Sequence, residues 1–260
     1  MGSGTALVDS HCHLDAGEFD ADRAAVLQRA REAGVRRQVI PAITADEWPK
    51  LRDVCSADEG LFPAYGLHPM FLADHRQHHL QDLRRWLQCE RPVAVGECGL
   101  DYFIDDLDPA EQSTYFEAQL RLAREFDLPV IVHARRAVDA VTVAIRKLGG
   151  LRGVVHSFSG SRQQAEQLWE QGFMLGLGGP VTYERARRLR ELAATMPLEW
   201  LLLETDAPDQ PDSSIRGQRN EPARLTTVLE TIAELRGVAP SEVAAATTAN
   251  AERLFSLPPA

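Results

Sequence analysis

The chain has little cysteine and no cysteine spacing typical of a metal or redox centre. Only four of its 260 residues are cysteine, namely Cys12, Cys55, Cys89 and Cys98, and no two of them form a CxxC pair. A chain of this length buries a large core without covalent cross-links, so it does not need a disulfide framework. We therefore predict reduced thiols and a cytoplasmic protein.

Long apolar runs and linkers are lacking as well. The sequence contains no stretch of about 18 apolar residues, which excludes a membrane-spanning helix. Residues 1–4 are not a basic segment followed by an apolar one, so no secretory signal is expected. Because no proline- or serine-rich stretch divides the chain, we expect one domain over residues 1–260.

Basic residues are outnumbered by acidic ones. Lys and Arg total 28 against 38 Asp and Glu, which gives a formal net charge of −10. A protein that lies along a nucleic-acid backbone neutralises many phosphates, so this balance argues against such binding. Cations in a pocket can still reverse the local field. The charge therefore restricts an anionic substrate to one end held in a concave site.

Eight short, β-branched apolar runs alternate with longer amphipathic segments. The predicted strands cover residues 6–9, 37–43, 61–68, 92–97, 129–133, 153–157, 173–178 and 200–206. Runs this continuous are typical of parallel strands that are covered on both faces. We predict an α/β protein, a closed (β/α)8 TIM barrel with an extra C-terminal helix over residues 241–255. An open eight-stranded sheet is the alternative.

Histidines and carboxylates follow or end the predicted strands. They are His11 and His13 after the first strand, His68, Glu97, His133 and His156 at the third to sixth, and Asp206 at the eighth. The carboxyl ends of parallel barrel strands form one face, which carries the active site. His11 and His13 leave the same side of an extended segment because they are two residues apart. Imidazoles and carboxylates that converge in this way predict a divalent-metal site.

Other chemically capable residues fit ordinary structural roles better. His75, His78 and His79 lie in a predicted surface helix, and we interpret them as a solvated face. Cys12 and Cys98 alternate away from their polar neighbours, so we expect them to pack beneath helices rather than to act as nucleophiles.

Seven motifs occur in order along nearly the whole chain, without a large insertion. They are HCHLD at 11–15, GLHP at 66–69, GECGLDY at 96–102, LPVIVH at 128–133, VHSFSG at 155–160, LETDAP at 203–208 and RNEP at 219–222. Together they resemble the TatD-like metal-dependent hydrolases of the amidohydrolase superfamily. The resemblance implies a metal-bearing (β/α)8 barrel.

The resemblance also implies two divalent ions and a ligand set. One ion would be held by His11, His13, Glu97 and Asp206, and the second by Glu97, His133 and His156, with Glu97 as the bridge. Such ligands do not distinguish Mg²⁺, Mn²⁺, Zn²⁺ and Ni²⁺. Asp206 and Glu97 are the expected catalytic residues, with Asp206 placed to take the proton of an activated water.

The remaining polar residues have more than one interpretation. His68 and Arg135 are the candidates for holding a substrate phosphate, although Arg135 also fits a surface salt bridge. Glu204 either orients a ligand or is a buried structural acid. Glycines 176, 178 and 179 either admit a phosphate or allow close packing. The polar segment 207–222 is long enough to be functional.

The function that the resemblance implies is hydrolysis of phosphodiester bonds, specifically a deoxyribonuclease that trims single-stranded DNA from the 3′ end. The alternatives are hydrolysis of a small amide, lactone or ester, and a metal-stabilised binding protein without catalysis. The expected partner is a single-stranded DNA end or another phosphodiester. No membrane and no obligate protein partner are expected.

Overall fold

Eight parallel strands lie side by side in chain order in the computed structural model, which describes residues 6–258. They are β1 (Leu7–Asp9), β2 (Val35–Pro41), β3 (Leu61–Tyr65), β4 (Ala94–Asp101), β5 (Val130–Arg135), β6 (Gly153–Val155), β7 (Phe173–Leu177) and β8 (Leu201–Leu203). The last strand returns to the first, since Ser10 N–H donates to Leu203 O and Asp206 N–H to His11 O, both at 2.9 Å. The predicted barrel is confirmed, and the open sheet is wrong.

Nine α-helices are assigned within the described residues. They are α1 (Arg23–Glu32), α2 (Trp48–Ser56), α3 (Gln77–Glu90), α4 (Pro109–Glu125), α5 (Val138–Leu148), α6 (Arg162–Trp169), α7 (Arg187–Thr195), α8 (Leu225–Arg236) and α9 (Pro240–Phe255). Local sequence fixes several of their starts. Asp108 accepts a hydrogen bond from Ala110 N–H at 2.8 Å before α4, and Ser161 forms a capping box with Gln164 before α6.

Six predicted strand ends differ from the structure by two or more residues, and β2 and β6 each end two residues earlier than predicted. β4 continues past Glu97 and β5 past His133, because a register shift between Val95 and Cys98 lets the two strands resume pairing beyond it. Gly99 permits this approach, since a Cβ there would lie 2.0 Å from His133 O. β3 and β8 instead stop before the polar residues that were assigned to them. Glu97 and His133 therefore sit on strands, whereas His68 and Asp206 sit on loops.

One apolar residue from each strand fills the barrel interior. These residues are Val8, Val39, Ala64, Ala94, Ile131, Val154, Met174 and Leu202. Leu254 and Phe255 of α9 pack beneath them together with Leu257, so the predicted extra helix closes the end opposite the strand carboxyl ends. Arg37 of β2 joins this plug through Glu252, with Nη2 and Oε1 2.6 Å apart.

Phe255→Ala tests whether α9 is part of the core. We expect this variant to lower the free energy of unfolding by about 3–5 kcal/mol, because a fully packed aromatic leaves a cavity. Urea unfolding measures the change. Val143→Ala is the matched control, since Val143 is 60% exposed and its loss should cost under about 0.5 kcal/mol. Equal effects of the two substitutions would contradict the plug.

No helix within residues 6–258 has both the length and the apolar character that crossing a lipid bilayer requires.

Candidate metal centre

Four donor atoms converge beyond β1 and β8. His11 Nε2 lies 3.2 Å from His13 Nε2, 3.1 Å from Glu97 Oε2 and 3.4 Å from Asp206 Oδ1. His13 Nε2 lies 3.6 Å from the same two carboxylate atoms. Tetrahedral ligands about 2.1 Å from a common centre are about 3.4 Å from one another. This first donor set therefore has the spacing of a divalent-metal site.

Backbone pairing positions the two histidines of the first donor set. Beyond β1 the chain stays extended, since Cys12 N–H donates to Val39 O at 3.1 Å and His13 N–H to Ala207 O at 2.7 Å. The predicted alternation follows: His11 and His13 face the centre and Cys12 is fully buried. His13 Nδ1 donates to a backbone carbonyl of β2 at 3.2 Å, which leaves the Nε2 lone pair for a cation.

A second donor set lies on the other oxygen of Glu97. Glu97 Oε1 is 3.0 Å from His133 Nδ1 and 2.7 Å from His156 Nε2, and these two nitrogens are 3.3 Å apart. Glu97 is 1% exposed. One carboxylate therefore serves both sets, one oxygen to each, which is the arrangement that a bridging ligand needs.

Electrostatics suit His11 and the shared Glu97 to cations. Burial lowers the pKa of His11 well below its ordinary value, so this imidazole is neutral and can offer a lone pair. Burial opposes ionisation of Glu97, but His156, His68 and His11 hold the pKa of its carboxyl well below the usual range. Neutral imidazoles and ionised carboxylates are the forms that bind divalent metals, so His11 and Glu97 fit such ions. Although burial opposes its charge, Glu97 raises the pKa of His156 to about 10, so in the metal-free protein this imidazole carries a proton that a cation would displace.

His68 contacts the second donor set through the proton-bearing side of its ring. Met70 N–H donates to His68 Nδ1 at 3.1 Å, so the proton of the neutral ring is on Nε2. Burial lowers the pKa of His68 to about 4, which keeps the ring neutral at physiological pH. His68 Nε2 is 2.9 Å from Glu97 Oε1 and is therefore a hydrogen-bond donor to it. An N–H donor suits an anion better than a metal.

Arg135 lies between the centre and solvent. Its Nε donates to Asp101 Oδ2 at 2.7 Å, and its side chain is 38% exposed and lines the cavity. Arg135 thus forms a salt bridge, as the alternative interpretation expected, although its acidic partner Asp101 is fully buried. The ion pair anchors one edge of the guanidinium at the site.

Asp206 is held at the start of the segment 207–222. Its backbone has a left-handed φ of +57°, a region that aspartate tolerates better than most residues. Gln210 Nε2 donates to Asp206 Oδ2, while Oδ1 faces the first donor set. Asn220 secures the segment by donating to Thr205 O and Asp209 O at 2.9 Å each. The segment therefore orients a proposed ligand.

The centre opens into a cavity of about 770 Å³ at the strand carboxyl ends. This volume lies within the range of small-molecule sites. Apart from Glu97 and Asp206, the acidic lining residues are Asp15, Glu18, Glu47 and Asp209. Among the described residues, Arg135 is the one lysine or arginine whose side chain lines the cavity. An anionic substrate therefore needs further positive charge here, which bound cations supply.

Comparison with known proteins shows to which family this chain belongs. A sequence profile described as TatD related DNase matches residues 8–256. The chain belongs to the TatD-related DNase family. The metal-dependent hydrolase YjjV of Escherichia coli strain K12 is 42% identical over 256 residues, which cover 97% of this chain and 98% of that protein. This chain is a TatD-family metal-dependent hydrolase, as the motifs predict.

Two further TatD-family comparisons agree. The 3′-5′ ssDNA/RNA exonuclease TatD of Erwinia tasmaniensis is 36% identical over 259 residues, covering 96% of this chain and all 100% of that protein. The crystal structure of YjjV, a TatD homologue from Escherichia coli K12, superimposes with a TM-score of 0.93 at 39% identity, covering 98% of this chain and 99% of the other. The TatD fold and metal dependence are thereby confirmed.

Asp101 is a residue of this TatD-family site that sequence reasoning missed. Its Oδ2 accepts a hydrogen bond from His133 Nε2 at 2.8 Å, which leaves the His133 Nδ1 lone pair facing Glu97. Although burial opposes ionisation, His133 and Arg135 hold the pKa of Asp101 below its usual range. The sequence did contain a signal for Asp101. It follows Glu97 by an even number of residues on the same strand, and such residues share one side of an extended strand.

Asp101→Asn should weaken metal binding. We expect about a 10- to 100-fold loss of affinity for one ion, because an amide no longer fixes the His133 tautomer. Competition with a chromophoric chelator measures the affinity. Asp105→Asn, an exposed change in the loop that follows, serves as the control and should leave affinity unchanged. Identical affinities for the Asp101 variant and the native TatD-family protein would contradict this role.

Glu204 occupies the space beside Gly176. A Cβ at Gly176 would lie 2.0 Å from Glu204 Oε2, so the glycine makes room for this acid rather than for a phosphate. Glu204 Oε1 accepts from Ser157 N–H and lies 3.8 Å from His156 Nδ1, an imidazole nitrogen without a hydrogen-bond partner. Burial raises the pKa of Glu204 to about 8, against the attraction of His156. The acid therefore lies where a small rotation lets it orient His156.

The metal-free protein should lose stability as pH rises. Folded Glu204 keeps its proton up to a pKa of about 8, whereas the ordinary value is 4.5. The folded state thus binds the extra proton between these values, and stability falls with rising pH across that window. In EDTA we expect the Tm to fall by a few degrees from pH 5 to pH 8. Glu204→Gln should make that slope shallower and leave the part due to Asp9, whose pKa burial raises to about 7. Glu199→Gln, an exposed control, should keep the full slope; an equally steep slope in the Glu204 variant would contradict the assignment.

One prediction about the other histidines is wrong. His75 is 4% exposed and donates from Nε2 to His68 O at 2.8 Å. It precedes α3 instead of lying on it, and it supports the loop that carries His68. His78 is exposed, as predicted. The predicted burial of Cys98 is also confirmed, at 0% exposure.

A buried acid, Asp9, and a half-buried amide, Gln210, complete the surroundings. Asp9 is fully buried beneath the first donor set, and Thr205 N–H donates to its Oδ1 at 2.9 Å. Burial raises the pKa of Asp9 to about 7. Gln210 is the other residue that sequence reasoning missed. Asp9 shares the alternation of His11 and His13 and was detectable, whereas Gln210 gives no local signal.

Proposed function

We propose that this protein removes nucleotides from the 3′ end of single-stranded DNA by hydrolysis of phosphodiester bonds. The observation that carries the proposal is the two donor sets that share Glu97, because a pair of metal sites is the common arrangement for phosphodiester hydrolysis. The relative from Erwinia tasmaniensis, named as a 3′-5′ ssDNA/RNA exonuclease, supports the substrate class.

Two divalent ions are part of the proposal. His11, His13, Glu97 and Asp206 would hold one, and Glu97, His133 and His156 the other. When bound, such ions lower the pKa of water and stabilise negative charge on the attacking and leaving oxygens.

The chain's own residues then divide the work. Asp206 accepts the proton of the attacking water at Oδ2, the oxygen that Gln210 holds in place. His68 Nε2–H, which donates to Glu97 Oε1 in this structure, turns to a non-bridging phosphate oxygen when substrate binds, and Met70 sets the tautomer that carries this proton. Arg135 holds the same phosphate from the rim while Asp101 fixes its Nε edge. The hydrogen bonds that hold these three side chains in place support the proposed roles.

Charge supports a strand end as the substrate. Within residues 6–258 the cavity lining carries several carboxylates and one guanidinium, that of Arg135, which suits a few phosphates near cations and not a duplex lying across the surface. The net charge of −10 strengthens the same restriction. A single-stranded end is narrow enough to bring one phosphodiester to the centre.

End-labelled oligonucleotides test the proposal. We expect the protein with Mg²⁺ or Mn²⁺ to release a 3′ label from single-stranded DNA before a 5′ label, and to act more slowly on a blunt duplex. Glu97→Ala should release none. Equal release by this variant and the native protein would contradict the proposal, and turnover of lactones or cyclic amides without any nucleotide release would favour the alternative hydrolase.

A further inference from the structure

A patch of exposed apolar and basic side chains adjoins the cavity, and two of its members, Met70 and Arg135, line that cavity. It consists of Met70, Tyr102, Phe103, Arg135 and Arg136, and we refer to it as the rim platform. Its three apolar members are 38%, 36% and 49% exposed, respectively. Among the described residues, one further large apolar side chain is exposed, that of Val143 on α5. Clustering of this kind marks an interaction site more often than scattered exposure does.

The rim platform is held together by stacking. Arg135 Cζ lies 4.4 Å and Arg136 Cζ 4.6 Å from the centre of the Phe103 ring. Arg135 Nη2 also lies 3.6 Å from Met70 Sδ. Arg136 is exposed and forms no ion pair within residues 6–258. Two guanidinium groups therefore lie close to an exposed aromatic ring in a protein that is acidic overall.

The rim platform is continuous with the metal centre. Arg135 Nε and His133 Nε2 both donate to Asp101 Oδ2, at 2.7 Å and 2.8 Å. The other Asp101 oxygen accepts from Phe103 N–H at 2.9 Å. One buried carboxylate thus ties the ring, the guanidinium and a proposed metal ligand to one another. A group that stacks on the platform lies beside the phosphate that the centre holds.

We propose that the rim platform binds an unpaired nucleobase next to the scissile phosphate. This inference rests on the proposed function. Bases stack on aromatic rings and on guanidinium planes without regard to sequence, and only an unpaired base exposes its face. Arg136 adds a contact to the neighbouring phosphate. The platform thereby selects single strands by a mechanism that the metal centre does not provide.

Abasic substrates test the inference in the intact protein. Kinetics are measured on a single-stranded oligonucleotide and on two copies that carry an abasic residue, one at the 3′-terminal position and one at the penultimate position. We expect Phe103→Ala to raise KM on the intact strand about 10-fold, the loss of one stacked base. On whichever abasic strand lacks the base that stacks on the platform, the variant and the native protein should have the same KM. Phe103→Tyr should restore stacking, and Val143→Ala is the matched control for loss of an exposed apolar side chain.

The outcomes separate the inference from the proposed function. Unequal effects on the intact and abasic strands support the rim platform. If the native protein degrades the intact strand but Phe103→Ala alters all three substrates equally or none of them, the platform is overturned and the nuclease stands. If the native protein degrades no oligonucleotide, the proposed function fails and the platform fails with it.

Discussion

Glu97→Gln lowers kcat/KM on single-stranded DNA by at least about a thousandfold, because each oxygen of Glu97 faces a different donor set. The amide keeps the shape of the side chain but loses its charge, and its NH₂ group repels a cation. Metal ions contribute several kcal/mol to the stabilisation of such transition states, and each 1.36 kcal/mol is worth about tenfold in rate. Single-turnover release of a 3′ label measures the loss, and atomic emission measures the bound metal.

Glu47→Gln is the matched control for the Glu97 variant. Glu47 also lines the cavity, but it is exposed and belongs to neither donor set. We expect its activity and metal content to stay within about twofold of the native values, as for surface changes away from special contacts. A Glu97 variant that retained full activity would contradict the bridging role.

Asp206→Asn lowers kcat by about a hundred- to ten-thousandfold, the range associated with loss of a general base. The asparagine cannot take a proton from water, and it is a weaker ligand in the first donor set. We expect KM for the oligonucleotide to change by only a few-fold, because the substitution leaves the proposed phosphate contacts of His68 and Arg135 in place. Steady-state kinetics at saturating Mn²⁺ separate the two parameters.

Asp209→Asn controls for the Asp206 variant. Asp209 lies three residues further on, lines the same cavity and is exposed. Its substitution should leave kcat within about twofold, as expected for an exposed side chain. If the Asp206 variant instead raised KM while kcat stayed constant, Asp206 would bind substrate rather than act as the base.

The parts of the fold that could be predicted are those that leave a pattern in consecutive residues. Continuous apolar runs identified all eight strands, since a strand buried on both faces leaves its signature in a few consecutive residues. The ends of β4 and β5 could not be predicted in this way. They depend on how Cys98 to Asp101 pair across a register shift with β5, which involves residues more than thirty positions apart.

The same distinction explains the candidate site. His11 and His13 were predictable together because alternation along an extended segment is a local property. His75 was assigned wrongly to a solvated face because its burial depends on the carbonyl of His68, seven residues away on an irregular loop. The contact of Glu204 with Gly176 likewise joins two strands that only the folded barrel brings together.

The most direct test of the shared carboxylate is an anomalous-difference map from crystals loaded with Mn²⁺. The account predicts two peaks about 3.5–4 Å apart, the usual separation in two-metal hydrolases, with one on each oxygen of Glu97. One peak would be surrounded by His11, His13 and Asp206, and the other by His133 and His156. A single peak, or two peaks that do not share Glu97, would contradict the two-metal mechanism.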